Sequence, residues 1–94
     1  MQREVFKSII EENRKILGYV VGNCTGTING TSFMISECGA PEGKYYAYCI
    51  DTDSSEDKYY DTFDEAINNF IVNGDTIVNQ IDKLSDFRFI DYRD

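Results

Sequence analysis

A chain of 94 residues with 41% apolar and 14% aromatic side chains has material for one hydrophobic core and not for two. That composition excludes a disordered polypeptide, and a net charge of −8 argues against direct contact with nucleic acid or an anionic membrane. The most apolar stretch, Ile16 to Val21, is far too short to span a bilayer.

The N-terminal residues lack the long apolar run of a signal peptide, so the expected address is cytoplasmic. The triplets Asn23-Cys24-Thr25 and Asn29-Gly30-Thr31 would bear glycans only in a secreted chain. The three cysteines, Cys24, Cys38 and Cys49, form no short-spaced pair, and histidine is absent. They read as buried, small apolar side chains, a reactive thiol or a bridge being the other readings. No cofactor and no metal site are expected from this set.

Placement of charge is more informative than its size. Residues 1–50 hold five acids and five bases, whereas residues 51–94 hold twelve acids and four bases. The whole excess lies in the second half, most densely between Asp51 and Glu65. Such a field attracts basic surfaces or cations.

Val5, Phe6, Ile9, Ile10, Ile16 and Leu17 recur at helical spacing, which predicts an amphipathic helix over residues 3–16 that Gly18 stops. Tyr19 to Ile28 and Thr31 to Glu37 read as a hairpin about Asn29-Gly30, a pair suited to a type I′ turn. That turn sets Ile28 opposite Thr31, Gly26 opposite Phe33 and Cys24 opposite Ile35. Val20, Cys24, Ile28, Phe33 and Ile35 then share the core face, with Gly22 and Gly26 leaving room there for a helix or ring.

Gly39 to Gly43 reads as a turn, and Lys44 to Asp51 as a third strand in which Tyr46, Tyr48 and Ile50 alternate with Tyr45, Ala47 and Cys49. Thr52 to Asp57 forms a loop, and Lys58 to Asp61 adds a short fourth strand. Thr62-Phe63-Asp64-Glu65 is a capping box, opening a helix that Phe63, Ala66, Ile67, Phe70 and Ile71 carry to a stop at Asn73-Gly74. Asp75 is expected to cap a further helix with the stripe Ile77, Val78, Ile81 and Leu84, and Phe87 to Tyr92 a last strand. The prediction is a single α+β domain over residues 1–94: an N-terminal helix, an antiparallel meander of three to four strands, two C-terminal helices and a short last strand. Its α-β-β-β-α order resembles that of double-stranded-RNA-binding domains, but the charge has the wrong sign for phosphate contacts.

Without histidine, Ser-His and Cys-His nucleophile systems are excluded, no phosphate-binding glycine loop is present, and no enzymatic activity is expected. Asp51, Asp53, Ser55, Asp57, Tyr59 and Thr62 match the ligand spacing of a calcium loop. Glu56 and Thr62, however, replace its essential glycine and bidentate glutamate, so weak cation binding at 51–62 is only a third reading. Tyr45, Tyr46, Tyr48, Tyr59 and Tyr60 flank the acidic loop, a composition that suits either sheet packing or a contact patch.

The first expectation is therefore a non-enzymatic, acidic binding protein whose partner is a basic protein surface. In its sharpest form it mimics nucleic acid and inhibits a nucleic-acid-binding enzyme, as small phage-encoded inhibitors of nucleases or CRISPR effectors do. The expected contact residues are Asp51, Asp53, Glu56, Asp57, Tyr59, Tyr60, Asp61, Asp64 and Glu65. The alternative is a small acidic adaptor or housekeeping protein, in which charge serves solubility. Oligomeric state is not encoded in any of these features.

Overall fold

The first Asn-Gly pair sets the register of the sheet. Asn29 and Gly30 lie in the left-handed region, with φ of 48° and 81°, as a two-residue type I′ turn requires. Ile28 faces Thr31, Gly26 faces Phe33 and Cys24 faces Ile35, the pairing that the turn predicts.

The computed structural model describes residues 1–15, 18–20, 22–50 and 58–90. In chain order these form α1 (Arg3–Arg14), β1 (Asn23–Ile28), β2 (Thr31–Ala40), β3 (Gly43–Cys49), β4 (Lys58–Tyr60) and α2 (Phe63–Asn69). There follow β5 (Ile71–Val72), β6 (Asp75–Thr76), a 3₁₀ segment (Val78–Lys83) and β7 (Leu84–Ile90). Five strands make one antiparallel sheet in the order β4-β3-β2-β1-β7, and β5 and β6 make a separate small hairpin. The fold class is α+β, as the sequence predicts. Among the described residues no helix is long and apolar enough to cross a membrane.

One face of the sheet carries the core. Cys24 and Ile28, Phe33 and Ile35, Tyr45 and Ala47, and Leu84 and Phe87 are buried there with Phe6, Ile10, Phe63, Ile67 and Ile81 of the helical segments. Gly26 matters to this packing because a Cβ at that position would lie 2.7 Å from the Phe33 ring and 3.0 Å from a Leu84 methyl. The absent side chain is what admits both.

Several boundaries differ from the sequence reading. Helix α1 ends at Arg14 rather than residue 16, and Gly18 donates its N–H to the Arg14 carbonyl at 2.7 Å, serving as the expected stop. Strand β1 starts at Asn23, leaving Tyr19 53% exposed. Strand β2 runs on to Ala40 through an irregular register between Glu37 and Ala40, so the turn before β3 contracts. The expected loop at 52–57 lies outside the described residues.

The largest correction concerns the second Asn-Gly pair. Helix α2 begins where predicted, with Thr62 Oγ1 accepting from the Glu65 N–H at 3.1 Å, but it ends at Asn69. Asn68 and Asn69 turn their side-chain amides onto the carbonyls of Asp64 and Glu65, competing with the backbone ladder. Ile71 and Val72 are then extended. Asn73 and Gly74, with φ of 54° and 85°, turn a β5–β6 hairpin instead of stopping a helix. The Asn73 side chain ties the two Asn-Gly turns together, donating to the Ile28 carbonyl at 2.9 Å and accepting from the Thr31 hydroxyl at 3.0 Å.

No α-helix follows Asp75. The segment is 3₁₀ in character and broken at Gln80, whose buried amide donates to the carbonyls of Val72 at 2.6 Å and Asp75 at 3.0 Å. Drawing that side chain inward forfeits the helical course, and Leu84 enters β7 instead of completing a stripe. The Asp75 carboxylate accepts from Asn79 and from the Thr76 N–H, which hold its pKa below the ordinary range. The last strand starts earlier than predicted and lies against β1, with Asp86 in the left-handed region at a bulge opposite Gly26. Residues 91–94 lie outside the described set.

Two substitutions check these contacts. Asn73→Asp keeps a residue suited to the turn but removes the donor to Ile28, and should cost about 1–2 kcal/mol in chemical denaturation. Thr62→Ala should cost ~0.5–2 kcal/mol by removing the cap. An unchanged denaturation midpoint in either would contradict the contact concerned.

Candidate binding surface

Alternation along the strands places a second set of side chains on the face turned away from the core. Register aligns them in rows across the sheet: Tyr59, Tyr46, Ser36, Asn23 and Ile90 in one, Tyr48, Met34, Thr25 and Arg88 in the next. The β4–β3 end of these rows is aromatic. The Tyr46 ring centroid lies 4.8 Å from that of Tyr59 and 5.2 Å from that of Tyr48, and the Tyr48 hydroxyl donates to Met34 Sδ at 2.9 Å. Tyr59 is 43% exposed.

The five clustered tyrosines therefore divide between faces. Tyr46, Tyr48 and Tyr59 form the open-face group, whereas Tyr45 and Tyr60 pair on the core side of β3 and β4. Tyr45 donates to the Val20 carbonyl at 2.7 Å, and burial, reinforced by the Glu37 charge, pushes its pKa up. The half-buried Tyr60 is raised by burial too. Tyr59 and Tyr60, paired in the sequence reading, thus face opposite ways, because neighbours on a strand must.

Asp61, Asp64 and Glu65 are exposed around the start of α2. Two of them also hold the fold. Arg14 donates to Asp64 at 3.0 Å, and the Glu65 carboxylate accepts from the Asp61 N–H at 3.3 Å, one residue earlier than a capping box requires. A shallow cavity of about 240 Å³ beside them is lined by Arg14 and Lys44 as well as Asp61 and Asp64, so its charge is mixed.

Asp51, Asp53, Glu56 and Asp57 lie outside the described residues, and with them most of the calcium-like spacing. They belong to the segment that joins β3 to β4. Of the spacing's described positions, Tyr59 sits on the open face and Thr62 is committed to capping α2. Among the described residues no group of three or more Cys, Asp or Glu side chains could hold a metal ion.

The cysteines correct the sequence reading. Only Cys24 is buried, and desolvation pushes its thiol pKa far up; Cys49 is half-buried and Cys38 exposed. Cys38 follows Glu37, where β2 leaves its regular register, and there the strict alternation that would have buried one neighbour lapses. Its thiol lies 3.4 Å from the Gly43 carbonyl.

Sequence reasoning missed the open face as a unit, because the tyrosines alone do not reveal that Met34 and Arg88 align with them. The signal available was the Asn-Gly register, extended from β1–β2 to β3. Comparison with family models, curated proteins and solved structures returned no match.

The thiols should react in order of exposure. Under native conditions a disulfide-exchange reagent should modify Cys38 quickly, Cys49 slowly and Cys24 only on unfolding. Equal protection of all three would contradict the exposure of Cys38.

Proposed function

We propose that this is a non-enzymatic binding protein that presents an acidic, tyrosine-bearing corner of its sheet to a basic protein surface. One observation carries the reading. Tyr46 packs in tilted contact with both Tyr48 and Tyr59 on the open face of β3 and β4, the two strands that the acidic segment Asp51–Asp57 connects in sequence. Rigid, amphipathic rings on two strands that a run of four acids joins in sequence suit the anchor and the rim of an interface. Asp61 follows β4 directly and adds to the same charge.

In its sharpest form the corner stands in for nucleic acid, its carboxylates taking the place of phosphates in the groove of a nucleic-acid-binding enzyme. Attraction of this kind acts over a Debye length of ~10 Å at 0.1 M salt and chiefly raises the association rate. Tyr59 is the first candidate anchor.

A triple reversal of Asp53, Glu56 and Asp57 to lysine leaves the Arg14–Asp64 pair and the α2 cap in place. It should slow association with a basic, nucleic-acid-binding partner by an order of magnitude or more while the melting curve stays put. Tyr59→Ala should instead speed dissociation. In the wild type, binding should weaken steeply with salt and compete with the partner's own nucleic acid. Binding that ignores salt would refute the acidic corner, and binding beside bound nucleic acid would leave only the adaptor.

A further inference from the structure

At the far edge of the sheet from the tyrosine corner, α1 runs beside β7. Val5, Ile9 and Glu12 of the helix and Phe87 and Phe89 of the strand enclose a cleft of about 680 Å³ with mainly apolar walls. Val5 is 46% exposed there, although α1 already buries Phe6 and Ile10 on its core side.

The cleft has a backbone wall as well as an apolar one. Ile28 and Thr31 close a two-residue hairpin and so exchange hydrogen bonds, which turns the peptide groups of Asn23, Thr25 and Thr27 toward β7. Their partners Ile90, Arg88 and Ser85 bond back to β1. Phe89, between two of them, must direct its N–H and C=O outward from the sheet. Leu84 has the same polarity, and its outward carbonyl accepts from the Met1 ammonium at 3.1 Å. Strand β7 is the last in the sheet, and among the described residues no strand pairs with its outer edge.

Charge supplies the third wall. Arg88 of the strand is the one cation among the lining residues; Glu4 and Glu12 of the helix line the cleft as well, and neither joins an ion pair among the described residues. Eight residues of helix separate them by ~12 Å along the axis. An extended strand covers ~13 Å in four residues. Side chains i, i+2 and i+4 of such a strand point to one side, so they can meet Glu4, the apolar centre and Glu12 in turn.

We infer that the α1–β7 groove binds an extended peptide that adds a strand to β7 at Phe89. Its groove-facing side chains read basic, apolar, basic, with the central one seated between Val5, Ile9 and Phe89. The main chain supplies the attachment and the alternate side chains the selectivity, as in other strand-addition sites. A second copy of the chain is a worse occupant: two residues from Phe89 it offers Phe87 and Asp91, not bases, and each copy carries a charge of −8.

The probe is the acetylated and amidated peptide Thr-Lys-Thr-Ile-Thr-Lys-Thr, titrated into the amide-resolved protein. The largest resonance shifts are expected at Phe89 and its neighbours and along Val5 to Glu12. N-methylation of the isoleucine amide, which keeps every charge and side chain, should weaken binding about tenfold or more. The E4K/E12K double variant should lose the lysine peptide and gain Thr-Glu-Thr-Ile-Thr-Glu-Thr, although the protein remains acidic overall. That exchange separates the groove from bulk attraction, and Val5→Asp provides a second, independent loss. Equal binding of the N-methylated peptide, no gain of the glutamate peptide, or self-association of the free protein through Phe89 would each overturn the inference. The groove shares no residue with the tyrosine corner, so reversal of Asp53, Glu56 and Asp57 should leave the shifts at Phe89 in place.

Discussion

The fold turns on a side chain that is not there. Gly26 sits in β1, next to last in the sheet, and the space where its Cβ would stand is filled by the Phe33 ring from one side and a Leu84 methyl from the other. The same residue faces the bulge in β7, where Asp86 takes a left-handed conformation and two residues oppose one. A side chain at that position would displace the aromatic centre of the core and disturb the joint between β1 and the last strand at once. Register, core and edge geometry therefore share a single small residue.

Among the described residues the helical segments all cover the same side of the sheet. Helix α1 contributes Phe6 and Ile10, α2 contributes Phe63 and Ile67, and the 3₁₀ segment contributes Ile81, all to one continuous core. Among the described residues the opposite face carries the cross-strand rows, graded from aromatic at β4 to a mixed Arg88 and Ile90 end at β7, with Asn23 buried within them. With one face packed and the other open, the sheet has distinct surfaces to offer at its face and at its edge. Antiparallel sheets tolerate that asymmetry because alternation separates the two sets of side chains cleanly.

What could be read from the residues was what local chemistry decides. Asn29-Gly30 dictated the register of the first two strands, and Thr62 with Glu65 marked the start of α2 to the residue. What escaped was decided by distant partners. Asn73-Gly74 is the same dipeptide as the first, yet after an apolar helical run it reads equally as a stop. Only the bonds from Asn73 to Ile28 and Thr31 select the hairpin. Gln80 gave no sign that it would turn inward to two carbonyls, and so Ile77, Val78, Ile81 and Leu84 looked like a helix. The candidate surface divided in the same way. Tyrosine content was legible; which faces the rings take, and the alignment of Met34 with them, followed only once β3 and β4 were paired.

The two Asn-Gly turns also place a chemical clock in the molecule. An asparagine followed by glycine is the pair most open to attack by the next backbone nitrogen on the side-chain amide, which closes a succinimide and releases ammonia. At Asn29 the product would alter an exposed turn. At Asn73 it would replace the amide that donates to Ile28 with a carboxylate, or lengthen the main chain by one atom, and so part the two hairpins. The bonds that hold the Asn73 amide to Ile28 and Thr31 oppose that attack, so the exposed turn at Asn29 should age before the contact between the two hairpins does.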